Sequence, residues 1–330
     1  MQTLLVTGGA GFIGSHFVRH WLQTHPADRI VNLDALTYAG DLDRLGGLAN
    51  DPRHRFVHGD ICEHVLLARL FAEEDIHAVV HLAAESHVDR AIAGPAAFIR
   101  SNIEGTHALL EAARAAWGGD PQRRFLQVST DEVYGELAAD APPCSEAAPF
   151  RPNNPYAASK AAADHLVRAA HCTYGLPTLV SHGSNTFGPA QHAEKLIPHM
   201  IQCALAGRPL PLYGNGRQIR DWLSVADHCR GLAAVLAHGQ PGEHYNLGAG
   251  NPWRNIDLVE HLCHLLDERR PAPHPYRESI CWVADRPGHD RRYAMDCRKA
   301  RDRLGWAPRT DFSEGLAETL SWYLAHPPRG

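Results

Sequence analysis

A chain of 330 residues, 44% hydrophobic and 21% charged, has the composition of an ordinary globular protein with room for a large domain and a smaller lobe. A net charge of −5, with 32 Lys+Arg against 37 Asp+Glu, advertises no basic face for nucleic acid. No window approaches the roughly 18 apolar residues of a membrane span, and Met1 runs directly into a strand pattern, so no membrane partner and no signal peptide are expected and the expected location is cytoplasmic.

Gln2 to Thr7 reads as a short apolar strand, followed by Gly8-Gly9-Ala10-Gly11-Phe12-Ile13-Gly14 and a helical pattern to about Gln23. Both Gly-x-Gly-x-x-Gly (Gly9, Gly11, Gly14) and Gly-x-x-Gly-x-x-Gly (Gly8, Gly11, Gly14) fit. Glycine is needed because the turn is tight, a pyrophosphate must touch backbone, and the helix must pack close to the strand. The positive helix N-terminus then faces the phosphates. The second strand, Arg29 to Leu33, ends on Asp34, twenty residues past Gly14. A carboxylate there accepts hydrogen bonds from the adenosine ribose and repels a 2′-phosphate, which predicts NAD rather than NADP. A simple turn cap is the alternative. Arg55 to His58 is a third strand leading to Asp60, within reach of an adenine. His77 to Leu82 is a fourth, and Ala83 and Ala84 after it are small enough for a cofactor to lie against the backbone. The polar run Glu85 to Arg90 follows, either as site residues or as a capped helix start. Ile92 to Trp117 reads as one long alanine-rich helix.

Arg124 to Val128 is an apolar run of strand length, which puts Thr130, Asp131 and Glu132 at the carboxyl end of a buried strand, where open α/β sheets bind ligands. Taken alone, the two acids also fit an ordinary solvated loop. Tyr156 and Lys160 are four apart in a helical segment, Asn154 to Tyr174, and project from one face. An ammonium near a phenol, assisted by a nicotinamide cation, draws the phenol pKa from about 10 toward neutrality. Such a tyrosine takes an alcohol's proton as hydride leaves the carbinol carbon. Pro177 to Val180 is a sixth strand, with Ser184-Asn185 beyond it. The stretch Pro271 to Pro275 reads as a loop, Asp257 to Leu266 as an amphipathic helix, and Asp296 to Leu304 as a helix ended by Gly305. Eight cysteines without a Cys-x-x-Cys pair fit reduced thiols. His261 and His264 stand among 23 histidines with no acid or cysteine completing a ligand set, so no metal is expected. The fold class predicted is α/β, a Rossmann-type doubly wound parallel sheet. Residues 1–180 would bind the dinucleotide, and 181–330 would form a smaller α/β substrate lobe with some segments returning to the sheet.

These motifs place the chain near the extended short-chain dehydrogenases/reductases. Within their sugar-nucleotide branch it resembles the dTDP-glucose 4,6-dehydratases through His81 to Arg90, Ser129 to Gly135, Glu194 to Pro198, Gln218 to Leu223 and Asp285 to Tyr293. The Thr130-Asp131-Glu132 triplet is the most diagnostic part. The resemblance implies NAD held through turnover and a homodimer. It implies cofactor contacts from Gly8, Gly11, Phe12, Ile13, Gly14, Asp34, Leu36, Thr37, Asp60, Ile61, Leu82, Ala83, Ala84, Ser101, Ser129, Tyr156 and Lys160. A nucleotide sugar, dTDP-glucose favoured, would meet Ser86, Thr130, Asn185, Glu194, Lys195, Leu196, Pro211, Tyr213, Arg220, Asn255, Arg286 and His289. The implied chemistry gives Tyr156, tuned by Lys160 and assisted by Thr130, the C4 hydroxyl proton, Glu132 the C5 proton, and Asp131 the task of protonating the departing C6 hydroxyl. Adjacent carboxylates in opposite protonation states need environments that push their pKa values apart. The chain departs from the family pattern at Thr186 and Phe187, where Asn and Tyr are usual, at His182-Gly183 in place of Asn-Cys, and at Ala193 in place of Pro. In the family the residue at Thr186 is an amide that contacts the cofactor. A UDP-sugar dehydratase, 4-epimerase or decarboxylase stays open, as does a non-catalytic NAD-binding regulator. An epimerase has no need of Asp131 and Glu132, and a regulator has no need to keep Tyr156 and Lys160.

Overall fold

The computed structural model describes residues 1–326. Its strands are β1 (Thr3–Thr7), β2 (Arg29–Asp34), β3 (His54–His58), β4 (Ile76–His81), β5 (Arg124–Thr130), β6 (Thr178–Gly183), β7 (Asn185–Phe187), β8 (Leu210–Tyr213), β9 (Ile219–Ser224), β10 (His244–Leu247), β11 (Pro252–Arg254) and β12 (Ile280–Val283). Seven of them form one parallel sheet in the order β3-β2-β1-β4-β5-β6-β10. Parallel strands need helical crossovers that cover both faces, so their sequences are apolar on both sides.

Alternation along each strand sorts the core. Leu4, Val6, Val80 and Leu126 point to the face covered by helices Phe12–Thr24 and Val225–His238, packing with Phe17, Val18 and Leu232. Leu5, Val79 and Phe125 point the other way, onto Leu67, Leu70, Leu109 and Val167 of helices His64–Glu73, Gly105–Trp117 and Pro155–Tyr174. Each fully buried Leu or Phe contributes roughly 1.5–3 kcal/mol by transfer from water. The strand order reverses at β1 and β4, and the crevice at their carboxyl ends is the ligand position of such sheets.

Much of the chain past β6 forms a second body around Ile197, Met200, Leu212, Trp222, Leu258, Leu262 and Leu316, while helix Val225–His238 packs on the large sheet. The second body carries the three-stranded sheet β11-β9-β7 and the pair β12-β8. From within this stretch, β10 returns to pair with β6.

The expected single helix from Ile92 to Trp117 is not one helix. Val88–Ala93 ends at Gly94, Pro95 follows, and after the turn Ala96–Phe98 the chain widens into a π-helical segment, Ile99–Glu104, before the α-helix Gly105–Trp117. A proline lacks the N–H for a continuing ladder and clashes with the preceding turn. The widened turn is held by Asn102, whose side chain accepts from the Glu85 N–H (2.9 Å) and donates to Ser159 Oγ (2.8 Å). Helix Arg298–Leu304 starts two residues later than expected, with Asp296 Oδ1 accepting from the Arg298 N–H at 3.0 Å.

Candidate active site

A cleft of about 590 Å³ crosses the carboxyl ends of β1, β2, β4, β5 and β6. At its phosphate end, Gly8 has φ +73°, and a Cβ there would lie 2.6 Å from the Ala83 nitrogen. A Cβ on Gly14 would lie 2.1 Å from the Gly8 carbonyl oxygen. No side chain caps the helix that begins after Gly11, so its first-turn amides are open to an anion. Asp34 is buried, with Oδ2 accepting from the Ala10 N–H (2.9 Å) and Oδ1 from the Leu36 N–H (2.8 Å). Each carboxylate oxygen keeps a lone pair for a further donor. Asp60 accepts from the Cys62 N–H (2.9 Å) and pairs with Arg100 at 2.9 Å. Bare backbone, an uncapped helix start and a carboxylate at the end of β2 together fit a dinucleotide without a 2′-phosphate.

At the other end, β5 runs on through Thr130, and Asp131–Tyr134 turns over its tip as one 3-10 turn. Thr130 Oγ1 donates to Asp131 Oδ1 (3.3 Å) and accepts from the Glu132 N–H (3.3 Å). Asp131 is 3% exposed, and its Oδ2 has no partner among the described residues. Burial, then the charge of Glu132, holds the Asp131 pKa well above the usual carboxylate range, against a smaller pull from Arg220. A carboxyl so placed keeps its proton and is a donor. Glu132 Oε2 accepts from Asn154 Nδ2 at 3.1 Å. The same Asn154 accepts from the Ala157 N–H (2.9 Å) and so caps the helix that carries Tyr156 and Lys160.

Lys160 is 4% exposed and donates to the Val128 carbonyl (2.8 Å), and burial lowers its pKa to about 8 against the charge of Asp164. The expected depression of Tyr156 is not produced by the protein's own charges. Desolvation, with Glu132 next, raises that phenol, and one of the three Lys160 N–H donors goes to the strand carbonyl. Behind the lysine, Asp164 accepts from Ser129 Oγ (2.6 Å) and meets His182 Nε2 at 3.2 Å.

Asp131 also carries a stability prediction. Above the unfolded carboxyl pKa near 3.9, the native state holds a proton that the unfolded chain releases, so this group's contribution falls as pH rises. Asp131→Asn keeps the shape and removes the titration. Its thermal midpoint should exceed wild type by about 2 °C or more at pH 8, with the gap shrinking toward pH 4. A gap that does not change with pH would place the effect elsewhere.

The cleft gathers Gly8, Gly11, Phe12, Ile13, Gly14, Asp34, Thr37, Asp60, Ile61, Leu82, Ala83, Ala84, Ser86, Ser101, Ser129, Thr130, Asp131, Glu132, Tyr156, Lys160, Asn185, Glu194 and Lys195. Leu36 does not line it; at φ +49° its N–H anchors Asp34 instead. Leu196, Pro211, Tyr213, Arg220, Asn255, Arg286 and His289 also lie outside the cleft wall. Most of them group around β8 and β9. Arg286 stands 5.7 Å over the Tyr213 ring and 3.6 Å from Asp89, and His289 Nδ1 is 2.6 Å from Asp285. Arg220 is buried, donates to the Asp290 carbonyl (2.8 Å) and lies 4.2 Å over Tyr293. Among the described residues no carboxylate pairs with it within 4.0 Å. Asn255 Oδ1 and Gln218 Oε1 are buried without partners there.

Several cleft residues carried no signal in the sequence: Arg100, Gln191, His192 and His228. Glu85 lay within a run read as polar, whereas His228 sits in an ordinary amphipathic pattern that nothing local marks. Thr186 stood out only as a departure, and it meets His228 at 2.8 Å.

The model of the GDP-mannose 4,6 dehydratase family matches residues 5–319. The dTDP-glucose 4,6-dehydratase of Xanthomonas campestris pv. campestris (strain B100) is 53% identical over 333 residues, covering 99% of this chain and 94% of that protein. The dTDP-glucose 4,6-dehydratase 1 of Escherichia coli K12 is 51% identical, covering 98% and 93%. Among solved structures, the dTDP-glucose 4,6-dehydratase DesIV of Streptomyces venezuelae, with NAD bound, is similar with a TM-score of 0.90 at 47% identity, covering 98% of this chain and 97% of its own.

Proposed function

This chain belongs to the GDP-mannose 4,6 dehydratase family, and from that premise we propose that it is an NAD-dependent hydro-lyase that converts dTDP-glucose to dTDP-4-keto-6-deoxy-glucose. The observation that carries the reading is the buried, proton-holding Asp131 beside Glu132 at the tip of β5, in one cleft with Tyr156 and Lys160. A 4-epimerase would use the tyrosine and lysine and leave the two acids without a task.

NAD, when bound, supplies the hydride acceptor for C4 and the donor for C6, so no net redox occurs. Tyr156, in one cleft with Thr130, takes the C4 hydroxyl proton. The charges of Lys160 and of the nicotinamide oppose the desolvation that otherwise keeps the phenol protonated. The C4 ketone acidifies the C5 hydrogen, and Glu132, oriented by Asn154, removes it. Asp131 gives its proton to the C6 hydroxyl, which leaves as water, and a proton later returns to C5. Gly8, Gly11, Gly14 and Asp34 hold the dinucleotide, with Thr37, Asp60 and Ile61 at its adenosine end.

For the sugar nucleotide, Ser86, Asn185, Glu194 and Lys195 flank the cleft. Arg220, buried without a carboxylate partner, suits the diphosphate because a guanidinium binds oxyanions in bidentate fashion. Tyr213, Asn255, Arg286 and His289 form the nucleoside end. The protein works as a cytoplasmic homodimer joined through helices Gly105–Trp117 and Pro155–Tyr174. Exposed small residues there, Ala115, Ala116, Ala158 and Ala169, allow close approach of a second copy. Among the described residues no helix is long and apolar enough to cross a membrane.

The test is direct. After incubation with dTDP-glucose and addition of alkali, a 4-keto-6-deoxy product absorbs in the near ultraviolet. UDP-glucose and GDP-mannose run in parallel should give little signal. Preferred turnover of another nucleotide sugar, or an epimer as product, would overturn the assignment.

A further inference from the structure

His228 lies on helix Val225–His238, yet its ring lines the cleft beside Gly183, Ser184 and Thr186. Glycine at position 183 is what admits it, since a Cβ there would sit 2.6 Å from His228 Cε1 and 2.8 Å from Nε2. The ring is 2% exposed. Thr186 Oγ1 lies 3.1 Å from the Ser184 carbonyl oxygen and 2.8 Å from His228 Nδ1. It has one proton and the carbonyl can only accept; with that proton on the carbonyl, the imidazole proton sits on Nδ1 and Nε2 keeps its lone pair. Nε2 has no partner among the described residues, and a buried acceptor left unmet is costly. Burial keeps the imidazole neutral, with its pKa lowered to about 4. Ser184 Oγ, also buried and unpartnered, is on a residue that lines the same cleft and offers a donor.

The dinucleotide reading above fixes which ligand group comes here. The adenosine end lies at Asp34 and Asp60, so the nicotinamide end lies toward Tyr156, Lys160 and His228. The one N–H donor on a nicotinamide is its primary carboxamide, and an acceptor and a donor lining one cleft match the two ends of such an amide. We propose that His228 Nε2 accepts a hydrogen bond from the nicotinamide carboxamide, with Thr186 holding the imidazole in the required tautomer and Ser184 Oγ donating to the carboxamide oxygen. The inference rests on the NAD reading and needs no sugar nucleotide.

It is tested by calorimetric titration of the chain, stripped of dinucleotide, with NAD, with 3-acetylpyridine adenine dinucleotide and with ADP-ribose. In the analogue a methyl replaces the amino group of the carboxamide. Wild type should bind NAD about tenfold more tightly than the analogue, the equivalent of about 1.4 kcal/mol. His228→Phe should reduce that preference to less than about twofold with ADP-ribose affinity unchanged, and His228→Gln, which returns an acceptor near the Nε2 position, should restore most of it. Equal affinity of wild type for NAD and the analogue overturns the proposal whether or not the variants fold. So does equal weakening of both by His228→Phe while ADP-ribose holds, which would make the ring a packing element. Failure of NAD and ADP-ribose alike to bind would overturn the cofactor reading beneath it. An intact preference with no product from dTDP-glucose would sink only the reaction.

Discussion

Glu132→Gln should lower steady-state turnover of dTDP-glucose by about 10²- to 10⁴-fold, the range a positioned general base supplies, while the absorbance of reduced nicotinamide builds up on the enzyme. Glutamine keeps an oxygen to accept from Asn154 Nδ2, so the cap of the helix carrying Tyr156 stays in place. It also removes the negative charge that, after desolvation, does most to raise both Tyr156 and Asp131. The first proton transfer, from the C4 hydroxyl to the Tyr156 phenolate, is therefore not hindered and is eased if anything. What the variant lacks is a base for C5. Stopped-flow absorbance on a single turnover reads both effects together. Full turnover would take Glu132 out of its role, and loss of turnover without the absorbance would move it to the first step.

Tyr156→Phe should give a loss of similar size, about 10²- to 10⁴-fold, with the opposite transient: no reduced nicotinamide at any time. The substitution removes one oxygen from a first helical turn whose position is set by Asn154, and Lys160 stays tied to the Val128 carbonyl. Cofactor affinity should therefore stay close to wild type, and the defect should lie in kcat. Appearance of the reduced cofactor at the wild-type rate would mean that another group takes the C4 proton. Together the two variants divide the reaction at the ketone.

Much of this site was legible because its signals are local. The strand, the glycines at 8, 11 and 14 and the acid at 34 form one continuous unit whose chemistry is written in spacing. Tyr156 and Lys160 share a helix face. Thr130, Asp131 and Glu132 follow an apolar run, and the strand carried them to the cleft even though it proved two residues longer than read. The misreadings have non-local causes. Alanine content suggested one helix from Ile92 to Trp117, although Gly94-Pro95 stood in it as a stop, and the π-helical turn beyond is held by a contact from Asn102 to Ser159 that no periodicity reveals. Spacing put Tyr156 and Lys160 on one helix face, whereas the bond from the ammonium to the Val128 carbonyl of β5 is a contact that spacing does not reveal. His228 enters from a helix more than two hundred residues past the phosphate loop, and only the packing against Gly183 brings it in.

The carboxylate of Asp34 also bears on cofactor engineering. Its two oxygens are each clamped by a backbone amide, one from the glycine loop and one from Leu36, which sits at φ +49°. Exchanging this acid for a neutral residue to admit a phosphorylated ribose would therefore release two loops at once and leave a leucine in a conformation with nothing to hold it. A redesign toward NADP has to install replacement anchors for both loops before any new arginine can be of use.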